Sequence, residues 1–380
     1  MSAPAVTGSK PVVDFSDYKC VLTELPVADF PKSLQDTVTR VRWLSINRDS
    51  VSIFTNKQIG EGGAGHVFKG GYRLADGSTI PCAVKWFKDF AGAEWEVGAL
   101  WRAASVSNAV KLHGFFLGVN FEIASDGKSV VLNSKQNSEE NVACIAVVEW
   151  IDSAPIKSIC GKTYDIFLFA KQLFLFLKEL HSSGPGRGTG LIHGDLTADN
   201  LFWINRRLTV IDFGLAQLKS DRFVPVVTYT PYRAPEIFLN QKQEANIASE
   251  QIQYDEQIDV WSAAACIHVL FTNVLLCPDT GRKGKYGHLA IASLVDRLGM
   301  PNDAYLETSI STDKFFTKVD SRYELKKEIP RPGCKPLESY YQSLDSLTPS
   351  MKDFITRCLA WDPKDRLTVD QALDHPYIKR

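Results

Sequence analysis

The sequence predicts an α+β fold, with strands gathered in the first 151 residues and long helices after them. Three observations carry this. Residues 51–87 set strand-like runs beside turn residues such as Asp76-Gly77-Ser78. Cys144-Ile145-Ala146-Val147-Val148 is continuously apolar, as a central buried strand should be. Residues 164–181 and 261–277 are long apolar stretches that read as buried helices. Strands first and helices later argue for α+β.

The composition fits two soluble domains. The chain has 380 residues, 44% hydrophobic and 23% charged, which is enough for two sizeable cores. A net charge of −1 provides no bulk field for nucleic acid or anionic membrane, so neither is expected as a partner. No run approaches the ~18 apolar residues of a membrane span. The most apolar stretch, 261–277, is interrupted by His268 and Asn273. The eight cysteines show no C-x-x-C, and Cys82, Cys144, Cys266 and Cys358 lie in apolar runs. They read as buried thiols in a reducing compartment. The lack of a visible targeting signal leaves cytoplasm and nucleus as the expected compartments, with an organelle address left open.

In chain order, residues 1–50 carry no motif and are treated as an N-terminal extension. Ile59-Gly60-Glu61-Gly62-Gly63-Ala64-Gly65-His66-Val67 fits G-x-G-x-x-G-x-V. A dinucleotide-binding turn would run from such glycines into a helix. Here strand-like His66-Val67-Phe68 follows, so the glycines join two strands whose backbone is able to approach phosphates closely. The next strand, residues 80–87 with Ala83, holds a single internal lysine, Lys85, which needs an anionic partner if it faces a core. Residues 90–102 read as a helix with Val97, Leu100 and Trp101 on one face and Glu94 and Glu96 as candidate partners. Residues 110–151 read as two strands around a polar insertion, with loops at 125–128 and 134–141. Residues 182–190 form a turn-rich insertion.

Residues 191–217 set two acids and an amide at fixed offsets. Asp195 follows His193 by two positions, Asn200 follows Asp195 by five, and Asp212 opens Asp-Phe-Gly. Between them, Leu201-Phe202-Trp203 and Leu208-Thr209-Val210-Ile211 read as strands around an Asn205-Arg206-Arg207 turn. Phosphoryl transfer needs such a set: oxygens for Mg²⁺ and a carboxylate to orient the attacking hydroxyl.

This stretch resembles the catalytic loop and metal-binding triplet of the eukaryotic protein kinases. Other landmarks follow in family order. Lys85 sits in a strand similar to V-A-I-K, and family phasing selects Glu96 as its helix partner, only eleven positions away. Tyr232-Arg233-Ala234-Pro235-Glu236 resembles the A-P-E segment of the group containing cyclin-dependent and MAP kinases. Asp259 resembles the acid that ties down the catalytic-loop backbone, and Arg366 the arginine that pairs with the A-P-E glutamate, here Glu236.

The resemblance implies a two-lobed fold: residues 51–151 a small antiparallel sheet with one main helix, residues 152–380 a mainly helical lobe, and ATP in the cleft. It implies that Asp195 orients the substrate hydroxyl and accepts its proton, and that Asn200 and Asp212 hold Mg²⁺. Lys85, paired with Glu96, would fix the phosphates. Ile59 to Val67, Ala83 and the backbone of Glu149 and Ile151 would complete the nucleotide site. A protein substrate is implied, with Ser or Thr as acceptor, and a regulatory protein partner is left open.

Two departures stand out. Gly194 replaces the family arginine beside the catalytic Asp, which commonly binds a phosphate on the activation segment. Thr197 stands where Ser/Thr kinases carry lysine, and Tyr229, flanked by Thr228 and Thr230, takes the place of a threonine. Three alternatives stay open: a scaffold with a kinase fold, a small-molecule phosphotransferase, and a binding module working through residues 1–50 and the polar insertion.

Overall fold

The computed structural model describes residues 12–14, 51–61, 65–74, 76–87, 90–119, 121–123, 129–132, 142–159, 165–182, 190–219, 229–240, 254–278, 287–342 and 347–379. The chain divides into two units, Met1–Ala104 with Val110–Asp152, and Ser105–Ala109 with Ser153–Arg380.

The first unit carries β1 (Val12–Asp14), β2 (Val51–Glu61), β3 (Gly65–Arg73), β4 (Thr79–Phe87), α1 (Phe90–Arg102), β5 (Leu112–Val119), β6 (Phe121–Ile123), β7 (Ser129–Leu132) and β8 (Val142–Glu149). Its main sheet is antiparallel, in the order β2-β3-β4-β8-β5. The apolar run of β8 lies inside this sheet, and Cys144 to Val147 are fully buried. β4 alternates: Cys82 and Val84 are buried on one face, which puts Ala83 and Lys85 on the other. The β3–β4 turn is closed by Asp76, whose Oδ1 accepts the Ser78 N–H at 2.9 Å.

Helix α1 covers the expected residues, but its buried stripe is Ala93, Val97 and Leu100. Trp101, about 40° beyond Val97 at the edge of this stripe, is 45% exposed. The polar insertion also departs from expectation. It contributes two further strands, and β1 pairs with β7, Val12 opposite Val131 and Asp14 opposite Ser129. The extension and the insertion therefore share one three-stranded sheet, β1-β7-β6. The loops expected at 125–128 and 134–141 lie outside the described residues, as do residues 1–11, 15–50 and 183–189.

Residues 105–109 group with the second unit, which the sequence reading placed entirely after residue 151. The cause is Asn108, whose Nδ2 donates to the Leu208 carbonyl at 2.7 Å and whose carbonyl accepts the Val210 N–H at 2.7 Å. The second unit is mainly helical, with α2 (Ile166–His181), α3 (Pro235–Leu239), α4 (Gln257–Thr272), α5 (Gly287–Leu298), α6 (Asp303–Thr308), α7 (Thr312–Phe315), α8 (Leu337–Gln342), α9 (Pro349–Cys358) and α10 (Val369–Asp374). Its short strands are β9 (Leu191–Ile192), β10 (Leu201–Ile204), β11 (Arg207–Val210), β12 (Gln217–Leu218), β13 (Phe316–Val319) and β14 (Arg322–Leu325).

Helix α2 starts at Asp165, whose carboxylate caps it by accepting the Leu168 N–H at 3.0 Å. Helix α4 is buried all round, from Ile258 to Leu270, as a core helix is. It stops where Asn273 turns into the left-handed region with φ 53°. None of the described helices is long and apolar enough to cross a membrane.

Candidate active site

The site in the second unit is built on the β10–β11 hairpin. Leu201, Leu208 and Val210 are fully buried and anchor it. The turn is shorter than expected. Asn205 and Arg206 alone form it, with φ of 49° and 63°, and Arg207 already pairs with Ile204. Two consecutive left-handed residues match the twist of a tight hairpin. The two ends of the hairpin meet, since the Ile211 N–H donates to the Asn200 carbonyl at 3.0 Å. Asn200 precedes one strand and Asp212 follows the other, so both are held by the same rigid support.

Asn200 turns toward Asp195. Its Nδ2 donates to the Asp195 carbonyl at 2.9 Å and lies 3.3 Å from Oδ2 of the Asp195 carboxylate. The other carboxylate oxygen, Oδ1, accepts the main-chain N–H of Tyr229 at 3.2 Å. Asp195 itself donates its N–H to Nδ1 of His193 at 3.2 Å. Asp212 has φ 61°, and its Oδ1 accepts the Gly214 N–H at 3.3 Å. The neighbouring Phe213 is fully buried, with its ring 5.0 Å from that of His193. Burial pushes the His193 imidazole below its ordinary range, against the pull of the Asp259, Asp195 and Asp212 carboxylates.

Asp259 on α4 supports this loop from beneath. Its Oδ2 accepts the His193 N–H at 2.7 Å and its Oδ1 the Gly194 N–H at 3.0 Å. His181, at the end of α2, places Nε2 2.9 Å from Oδ2. Burial disfavours the charged form of Asp259, yet the His181 and His193 contacts and the Gly194 N–H hold it below the usual carboxylate range. Farther on, Arg366 grips Glu236 with two bonds of 2.7 and 2.9 Å, with both side chains buried.

In the first unit, Lys85 Nζ lies 2.7 and 2.6 Å from the two oxygens of Glu96. The eleven-residue spacing thus suffices, because α1 begins three positions after β4 ends. Ile59, Gly60 and Glu61 end β2, and Gly65, His66 and Val67 begin β3, with Gly60 opposite Val67 and Glu61 opposite His66. Val67 in turn pairs with Lys85. Gly62, Gly63 and Ala64 lie outside the described residues. The two described loop glycines differ. A Cβ on Gly65 would stand 1.9 Å from the Trp86 carbonyl oxygen, whereas one on Gly60 would meet nothing nearer than Val67 at 3.8 Å. Ala83 pairs with Val148, and Glu149 spends its N–H on the Lys111 carbonyl at 2.8 Å. Ile151 lies just past β8.

A model of the family described as protein kinase domain matches residues 54–378. The chain belongs to the protein kinase domain family. It is 30% identical over 195 residues to the serine/threonine-protein kinase ppk5 of Schizosaccharomyces pombe, covering 50% of this chain and 21% of that protein. It is 28% identical over 212 residues to the mitogen-activated protein kinase HOG1 of Colletotrichum orbiculare, covering 55% and 50%. It is 28% identical over 234 residues to the serine/threonine-protein kinase prpf4B of Dictyostelium discoideum, covering 56% and 26%. The chain spans half or less of the length of these relatives.

Within this kinase domain, two contacts of Asp195 escaped sequence reasoning. One is the Tyr229 amide, a backbone donor that no side-chain pattern announces. The other is the ring of His193, whose Nδ1 accepts from Asp195. His181 as the partner of Asp259 was also missed. Its position at the end of an apolar helix was its only signal.

Proposed function

We propose that this chain transfers the γ-phosphoryl group of ATP to serine or threonine hydroxyls of protein substrates. The observation that carries the reading is the Asn200–Asp195 contact. Asn200 commits its Nδ2 to Asp195, which leaves its amide Oδ1 as a hard oxygen donor, and Asp212 supplies a carboxylate from the other end of the same hairpin. Such oxygens suit Mg²⁺, which takes one or two protein ligands and completes its shell with phosphates and water. When bound, Mg²⁺ would neutralise phosphate charge.

The chain's own residues would do the rest. Asp195, with one oxygen facing Asn200 and the other the Tyr229 amide, orients the acceptor hydroxyl and takes its proton. Lys85, steadied by Glu96, binds phosphate oxygens. Gly60 to Val67 cover them. Adenine would be read by backbone near Ile151 and by the carbonyl rather than the amide of Glu149, since that N–H is already donated to Lys111. Transfer then rests on positioning and charge stabilisation.

The Ser/Thr assignment is supported by the named relatives. Gly194 in place of arginine supports activity without phosphate on the activation segment. The test is incubation with γ-labelled ATP, Mg²⁺ and generic protein acceptors beside Asp212→Asn, followed by identification of the labelled amino acid. Label on Ser or Thr that vanishes in the variant is expected. Label on Tyr would overturn the acceptor assignment. ATP binding without transfer would turn the reading toward a scaffold.

A further inference from the structure

The second unit holds a cavity of about 470 Å³ at the end of α2, the start of α4 and the start of α10. Its wall includes His181, Lys219, Asp255, Glu256, Gln257 and Thr368, and none of Asp195, Asn200 or Asp212. The volume lies within the range of small-molecule sites. Two of its three lysines have acidic partners: Lys219 pairs with Glu256, and Lys178 pairs with Asp370 at 2.9 Å, while Lys364 makes no ion pair among the described residues. Its acceptors are less well served. Asp255 takes the Gln257 N–H on Oδ1 but makes no ion pair among the described residues.

His181 is the decisive wall residue. It is only 6% exposed, and its Nδ1 has no hydrogen-bond partner. Because Nε2 faces the Asp259 carboxylate at 2.9 Å, it is the N–H donor, and Nδ1 is an acceptor left empty. A buried polar atom without a partner requires an explanation.

We propose that this cavity binds a small alkylammonium compound, whose N–H groups satisfy the acceptors at His181 and Asp255. The site communicates with the catalytic loop through one side chain. A donor placed on Nδ1 polarises the imidazole and strengthens its Nε2–H bond to Asp259. The same Asp259 oxygen accepts the His193 N–H, and its other oxygen the Gly194 N–H, next to Asp195. Occupancy of the cavity therefore stiffens the backbone that presents the catalytic acid.

The test uses the full chain labelled with ¹⁵N in its histidine rings, titrated with 1,4-diaminobutane and, separately, with succinate. The expected result is a saturable shift of the His181 ring signal with the diamine alone, assigned by its loss in His181→Gln. Asp255→Asn, at an exposed position, should weaken the diamine by about tenfold. Amide exchange in peptides spanning His193 and Gly194 should slow on saturation. No saturable shift at millimolar diamine, an equal shift with succinate, or unchanged affinity in Asp255→Asn would overturn the site. A shift without slower exchange would overturn its coupling to the loop. Should His181→Gln fail to fold, the Asp255→Asn comparison still decides. The titration needs neither ATP nor an acceptor, so its failure leaves the phosphotransfer reading untouched.

Discussion

Asp259 accepts the Gly194 N–H at 3.0 Å, and Gly194 holds that bond with φ 73°, in the left-handed region. The loop that carries Asp195 therefore combines an unusual backbone conformation with a buried carboxylate that holds it in place. Replacing Asp259 by alanine would strand two main-chain donors and His181 in a dry interior. The loss should be about 3–5 kcal/mol, the scale for removing one partner of a buried charged contact. Urea unfolding of Asp259→Ala against wild type checks it, and Asp259→Asn should lose less.

The conformation of Gly194 also limits what can replace it. Any L-residue there meets its own carbonyl, at a cost of about 1–2 kcal/mol. Gly194→Ala should lower stability by that amount. Gly194→Arg, which restores the family residue, should carry the same penalty while supplying a guanidinium for a phosphate. Treatment of wild type with phosphatase is expected to leave transfer intact. Loss of transfer on that treatment would refute the idea that this chain works without activation-segment phosphate.

The glycine-rich turn offers a cleaner separation of fold from function. Gly65→Ala should destabilise the first unit severely, because its methyl would overlap the Trp86 carbonyl at 1.9 Å. Gly60→Ala has room, with Val67 at 3.8 Å. Its melting temperature should stay close to that of wild type while KM for ATP rises. A KM unchanged in Gly60→Ala would argue against phosphates lying under that backbone.

His268 predicts a pH effect on stability. It is buried in α4 with Nδ1 3.1 Å from the Tyr341 hydroxyl. Burial, with the nearby Arg297 charge, pushes its pKa from 6.5 down to about 3. Between those values the unfolded chain binds a proton that the folded chain refuses. Its contribution is therefore fully present above pH 6.5 and is lost as pH falls toward 3. The slope from this one group approaches about 1.4 kcal/mol per pH unit. His268→Gln should show a shallower acid limb in denaturant titrations between neutral pH and mild acid. An identical limb would contradict the assignment.

Much of the candidate site was legible because the proposed chemistry needs side chains at fixed offsets. Asp195, Asn200 and Asp212 announce themselves by spacing, and Lys85 by being a charge in an apolar strand. Glu96 was chosen over Glu94 by phase, and it is Glu96 that meets Lys85. What stayed hidden was carried by backbone or by geometry. The Tyr229 amide has no residue signature. The two-residue hairpin at Asn205-Arg206 was read one residue long, since Arg207 gives no turn or strand cue. Trp101 was placed with Val97 and Leu100 by helical spacing, yet it lies at the edge of the buried stripe and is exposed. The pairing of β1 with β7 joins segments more than a hundred residues apart, beyond the reach of local patterning.

The bond between Glu236 and Arg366 spans 130 positions, and Arg366 also takes the Gln257 carbonyl at 2.8 Å. This has a consequence during synthesis on the ribosome. Until residue 366 emerges, Glu236 is a carboxylate destined for a dry interior with its cation still inside the exit tunnel. Most of the second unit must wait, partly assembled, for the stretch around residue 366 to arrive. The closure is late because its partners are far apart, and exposed apolar helices such as α4 need protection in the interval. Chaperone demand should therefore fall on the second unit, and early termination before residue 366 should yield aggregates rather than a smaller folded unit.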